Sequence, residues 1–203
     1  MYPGLPGPEV RPFRSHADGG PPYAPGTTFE MTRINAVTNI GTYLDSPFHR
    51  HAGAPDFTGV PLERVADLPG VVVDVRGSPG REIPAVSLPR EPVRGSAVLF
   101  LTGWSSRWGT PAYEEPGPFL GREAAAALAA ARPAVVGIDC MNIDDVGDPE
   151  RPVHTLLLGA GIPICEHMTN LERLAGVSFR FTAAPPAWEG VASFPVRAFA
   201  VLG

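Results

Sequence analysis

The chain has 203 residues, 44% hydrophobic and 18% charged, with a formal net charge of −5 from 16 basic and 21 acidic side chains. That balance fits one folded domain, or at most two small ones, and argues against disorder. No Lys/Arg run offers the clustered charge that a nucleic-acid partner needs, and the longest apolar runs, such as 134–138, are far too short for a membrane span.

Residues 1–27 are dense in Pro and Gly, which predicts an irregular arm lying over the domain or a neighbour, ahead of an α/β domain over 28–203. The first ten residues lack the basic start and apolar stretch of a secretory signal. The chain carries 25 prolines and 23 glycines, so turns and irregular loops should outnumber helices. Tyr2 and Tyr23 are aromatic anchors in the arm.

Strand character, judged by β-branched and apolar content, marks 31–39, 71–76, 97–102, 134–139, 162–166, 179–183 and 194–202. Residues 122–132 (REAAAALAAAR) predict a helix, because Ala and Leu are the best helix formers and Pro133 stops it. Strand 97–102, helix 122–132 and strand 134–139 read as a βαβ crossover with parallel strands.

The connection 103–121 is long and carries Trp104, Trp108 and Tyr113 beyond a strand's carboxyl end, where open α/β sheets bind ligands. It is a candidate lid or pocket wall, with a self-packed surface loop as the alternative. The next loop, 141–152, follows Asp139 with Asn142, Asp144, Asp145 and Asp148, most of whose carboxylates are expected to be solvated turn formers. Cys140 and Cys165 belong to no CxxC pair and read as buried reduced thiols, which suits a cytoplasmic setting.

The richest stretch is Asn39-Ile-Gly-Thr-Tyr-Leu-Asp-Ser-Pro-Phe-His49. Pro47 breaks any continuous helix, so Asp45 and His49 meet through a loop rather than along a helix face. An imidazole with an ordinary pKa of ~6.5 moves protons near neutrality once a carboxylate or metal orients it. The bland alternative is a capping Asp beside a half-buried His.

Asn39-x-Gly41-Thr42-Tyr43-x-Asp45-x-Pro47-x-His49 resembles, in register, the pattern His-x-Gly-Thr-His-x-Asp-x-Pro-x-His of the cyclase and metal-dependent kynurenine formamidase (arylformamidase) family. His154-Thr-Leu-Leu-Leu and Ile162-Pro-Ile-Cys-Glu166 resemble its downstream His and Glu. The likeness runs from Tyr2-Pro-Gly through Val72-Val-Asp74 to Phe194-Pro-Val-Arg-Ala198.

This resemblance implies a compact α/β domain with a mixed sheet, of the swivelling β/β/α type, and a homodimer or higher homo-oligomer. It implies Asp45, His154 and Glu166 as metal ligands and His49 as proton shuttle. Asn39 and Tyr43 stand where two ligand histidines belong. An amide oxygen is a weak donor, and a phenol binds tightly only when deprotonated, so one metal position should be lost or badly weakened. A single zinc or manganese ion, or none, remains. Without one, His49 would act as base with Asp45 orienting it and Tyr43 as oxyanion donor.

The expected activity is hydrolysis of a cyclic or aryl amide, formamide or lactone-like carbonyl. Asn39, Phe48, Trp104, Trp108 and Tyr2 are candidate substrate contacts in an apolar pocket suited to a flat molecule. The rivals are a metal-independent lyase or cyclase on the same scaffold and a non-catalytic small-molecule binder. His16, His51 and His167 carry weaker claims, since the last two alternate away from His49 and Glu166. No nucleophile elbow, P-loop or dinucleotide fingerprint is present.

Overall fold

A computed structural model describes residues 7–20 and 23–203. Strands β1 (Glu9–Arg14), β2 (Met31–Asn35), β3 (Tyr43–Asp45), β4 (Leu68–Asp74), β5 (Glu82–Ile83), β6 (Ala97–Leu101) and β7 (Phe119–Leu120) precede helix α1 (Arg122–Ala131). After it come β8 (Val135–Ile138), helix α2 (Pro152–Gly159), β9 (Ile164–Glu166), β10 (Phe179–Thr182), β11 (Ser193–Pro195) and β12 (Phe199–Leu202).

Eight strands form one mixed sheet in the order β11-β3-β9-β8-β6-β4-β10-β12. β4, β6, β8 and β9 run parallel, and antiparallel neighbours flank them on each side. The edge strands β11 and β12 are consecutive in the chain, joined only by residues 196–198. Four Cα steps reach at most about 14 Å, whereas eight flat strands would spread over about 34 Å. The sheet is therefore curled until its edges approach. The expected single α/β domain with a mixed sheet is borne out, as is the β6-α1-β8 crossover.

The centre of the sheet is apolar on both faces, as a parallel sheet covered on both sides must be. Every residue of β6 is buried. Val98 and Phe100 face the helices with Val136, Ile138, Ala125, Leu128 and Leu157. Leu99 and Leu101 face the other way, with Leu44, Cys165, Phe179 and Phe181. Gly137 fits because a Cβ there would lie 2.5 Å from Met168 Sδ.

Several expectations need correction. Glu9–Arg14 is a strand rather than irregular chain, and it pairs antiparallel with β2, which stops at Asn35. The single strand expected over 194–202 is two strands on opposite sheet edges. Helix α2 was not anticipated. Cys140 and Cys165 are buried and free, as expected. Among the described residues no helix is long and apolar enough to cross a membrane.

Candidate active site

Gly41, at φ +62, occupies the left-handed region that glycine adopts without a Cβ penalty, and it turns the chain into β3. In β3 the residues alternate. Leu44, opposite Cys165, enters the core, while Tyr43, opposite Glu166, and Asp45, opposite Ser193, face the helix side. Pro47–His49 is a single 3₁₀ turn, which brings His49 over the same face.

Helix α2 supplies His154. Pro152 opens it, where a missing N–H costs nothing, and the Asp144 carboxylate accepts the amides of Val153 (2.7 Å) and His154 (3.0 Å). The same carboxylate accepts His154 Nδ1 at 2.6 Å, leaving Nε2 to face Asp45 Oδ2 and Glu166 Oε1, each at 3.7 Å. Asp144 is thus not the solvated turn former that its acidic neighbours suggested, but a buried group that fixes the ring. Asp139 is also buried, accepting the amides of Thr102 and Gly103 at 2.8 Å each and tying the ends of β6 and β8 together.

Of the Glu166 and Asp45 carboxylate oxygens, all but Asp45 Oδ2 are occupied. Glu166 accepts the Ile143 amide at 2.7 Å and the Tyr43 hydroxyl at 2.5 Å. Asp45 Oδ1 accepts Ser193 Oγ and, at 3.4 Å, Asn39 Nδ2. Ser193 Oγ also lies 3.0 Å from His49 Nδ1. One hydroxyl proton cannot serve both, so with Asp45 as its acceptor the serine oxygen accepts a hydrogen bond from Nδ1–H. Ser193 escaped the sequence reading entirely.

The charges follow this packing. Burial and the negative charges of Glu166 and Asp45 push the Tyr43 phenol well above its usual range. Burial works against a charge on His154, but Asp144, Asp45 and Glu166 prevail and raise it to about 10. Burial chiefly lowers His49, and burial chiefly raises Glu166.

Asp45 Oδ2 is buried and has no hydrogen-bond partner. Asp45, His49 and His154 each offer a ligand atom within 4.8 Å of the others, the one such group among the described residues. An unpaired buried carboxylate oxygen facing an oriented imidazole nitrogen fits a single divalent cation, which would replace the proton that the surrounding carboxylates otherwise hold on His154 and whose ligands sit about 3.3 Å apart when bonds are ~2.0 Å. A second cation does not fit the residues present, because the protonated Tyr43 spends its hydroxyl on Glu166.

Above this cluster lies a cavity of about 140 Å³ lined by Tyr43, His49, Arg50, Asn142, Arg151, His154 and Glu166. Of the sequence candidates, Asp45, His49, Tyr43, Asn39, His154 and Glu166 converge here. Trp108 lies instead with Tyr113 and His167 around a neighbouring hollow, beyond Tyr43, whose ring centroid is 5.4 Å from that of His167. Trp104 packs on the helix-side core and donates Nε1 to the Tyr113 carbonyl. Phe48 is exposed and does not line the cavity. Tyr2 lies outside the described residues.

The family profile described as "Putative cyclase" matches residues 8–145. The chain belongs to the cyclase family. Isatin hydrolase A from Ralstonia solanacearum shares its fold at 24% identity and TM-score 0.78, covering 97% of this chain and 82% of that one. Isatin hydrolase A from Labrenzia aggregata does so at 22% identity and TM-score 0.80, over 97% and 84%. A third relative, named a potential metal-dependent hydrolase with cyclase activity, matches at 24% and TM-score 0.72, over 95% and 96%. None of the curated proteins matches this sequence.

Proposed function

We propose that this cyclase-family chain hydrolyses a cyclic or aryl amide, formamide or lactone-like carbonyl of a small molecule. The observation that carries the reading is Asp45 Oδ2, buried without a partner and 3.7 Å from His154 Nε2 beneath a cavity that His49 also lines. Asp45 and His154 would hold one zinc or manganese ion, with Glu166 Oε1 as the third donor. Such an ion, when bound, polarises a carbonyl and brings the pKa of its water toward ~7.

The chain's own groups do the rest. His49 is exposed at the cavity mouth, yet the partial desolvation of its ring lowers its pKa and keeps it neutral near pH 7. Its Nδ1 proton is engaged by Ser193, so Nε2 is the atom that takes a proton from water and returns it to the leaving nitrogen or oxygen. Asp144 locks the His154 ring, and Tyr43 holds Glu166 in place. Three solved structures of the same fold are named isatin hydrolases, which favours a cyclic amide among these substrates.

The test is hydrolysis of N-formyl aromatic amines and cyclic amides by wild type and His49→Ala. The variant should be slower by about 10²–10⁴, the usual worth of a positioned acid–base group. Equal rates would remove His49 from the mechanism. Chelation should abolish the activity, and zinc or manganese should restore it.

A further inference from the structure

We propose that Arg151 and Arg50 form an anion-recognising rim over this cavity, so that the substrate carries a carboxylate in addition to its scissile carbonyl. The proposal rests on the hydrolase reading and names its substrate class. Both guanidinium-bearing residues line the same cavity as His49 and His154.

Arg151 is placed there by unusual backbone. It sits at φ 50, ψ 58 immediately before Pro152, a conformation that L-residues avoid, and its carbonyl accepts the Thr155 amide at 3.0 Å. Its polar contacts are long. Nη1 reaches the Asp145 carbonyl at 3.5 Å, and Nε stands 3.9 Å from Asp144 Oδ2. Asp144 itself already accepts the amides of Val153 and His154 and the His154 ring. Arg151 is thus restrained, with the Asp144 carboxylate beyond hydrogen-bond reach, and a guanidinium fork fits a carboxylate by two parallel hydrogen bonds. Arg50 donates Nε to Thr155 Oγ1 at 3.0 Å, which tethers it to α2 beside Arg151.

The charge pattern also sets a direction. The two arginines attract an anion at the rim, while the ion proposed at the floor would take the scissile carbonyl. A small substrate therefore enters with its neutral carbonyl toward His49 and its acidic group outward.

Benzoate and benzamide differ in the acidic group alone. By titration calorimetry, wild type should bind benzoate at least about tenfold more tightly, the equivalent of one charge-assisted hydrogen bond. In Arg151→Asn, which removes the charge but tolerates the left-handed backbone, and in Arg50→Gln, that preference should shrink to within about threefold. The kcat/KM ratio of N-formylanthranilate over formanilide should fall in step. No benzoate preference in wild type, or a preference unchanged in the variants, overturns the proposal. If Arg151→Asn does not fold, Arg50→Gln decides alone by the same criterion. If wild type hydrolyses neither formyl compound, the hydrolase reading fails, while the calorimetry still decides the rim.

Discussion

His154 Nδ1 and Asp144 Oδ2 lie 2.6 Å apart, and the same carboxylate accepts the amide of His154 itself at 3.0 Å. One acidic side chain therefore fixes both the start of α2 and the orientation of the ring it carries. A carboxylate behind an imidazole raises the basicity of the far nitrogen and holds the tautomer that can donate its lone pair.

Replacing that carboxylate tests this arrangement. Asp144→Asn keeps the size but has a single acceptor oxygen for the three donors that now converge on the group. Affinity for zinc or manganese should fall about 10–100-fold, the usual cost of losing such a support. Competition with a chromophoric chelator measures it, and an unchanged affinity would mean that the ring is oriented by something else.

Tyr43→Phe removes the hydroxyl that Glu166 Oε2 accepts. A buried carboxylate oxygen then loses its donor, which costs about 1–3 kcal/mol of folding stability. Glu166, already raised chiefly by burial, should rise further, since the Tyr43 hydrogen bond acts to lower it. Denaturant melts should show the loss, and it should be smaller at low pH, where Glu166 is protonated and sheds its desolvation cost.

His167 gives a pH signature. Burial lowers it to about 4, while the unfolded chain holds its imidazole near ~6.5. The folded state therefore binds fewer protons between those values. Stability from this residue is fully present above pH ~6.5 and disappears as pH falls through about 4, by at most about 3 kcal/mol. His167→Asn suits the left-handed backbone there, at φ 55, and should flatten this part of the acid limb of stability against pH. An acid limb as steep as that of wild type would contradict the assignment.

Much of this was legible in the sequence, for physical reasons. α1 announces itself through eight Ala or Leu residues and a Pro stop, and β6 and β8 through unbroken apolar runs. Asp45, His49, His154 and Glu166 carry the resemblance and do converge. α2 escaped because it has only eight residues and is apolar almost throughout, so it shows no helical period, although Pro152 at its first position was a usable signal. Asp144 escaped because five polar residues crowd one loop and only the fold shows which one meets a helix end. Ser193 had no local signal at all. It reaches Asp45 across 148 positions of chain, through the pairing of β11 with β3.

That serine is a positioning residue with a readout of its own. Ser193→Ala would leave both Asp45 Oδ1 and His49 Nδ1 without the group that joins them. KM should stay within about twofold while kcat falls about tenfold or more, the pattern of an interaction made in the transition state rather than in binding. The pH profile of kcat should shift as well, because His49 loses the acceptor of its Nδ1 proton. Ser193→Thr, which keeps the hydroxyl, should recover part of kcat. A fall in folding stability with an unaltered pH profile would instead mark the serine as structural.

The hairpin β1–β2 yields the last prediction. Val10, Phe13, Ile34 and Val37 are all more than half exposed on or beside it. A lone two-stranded ribbon is marginal in water, so this apolar surface needs a cover. The same chain carries a groove of about 310 Å³ whose lining includes Leu171, Leu174, Phe181, Phe199 and Leu202. In a two-fold pair each hairpin can meet the other copy's groove, and both apolar surfaces are buried at once. The protein should therefore sediment as a homodimer, and Phe13→Asp combined with Ile34→Asp, both at exposed positions, should yield a folded monomer. A wild-type monomer at micromolar concentration would show that the hairpin does not join two copies of this chain.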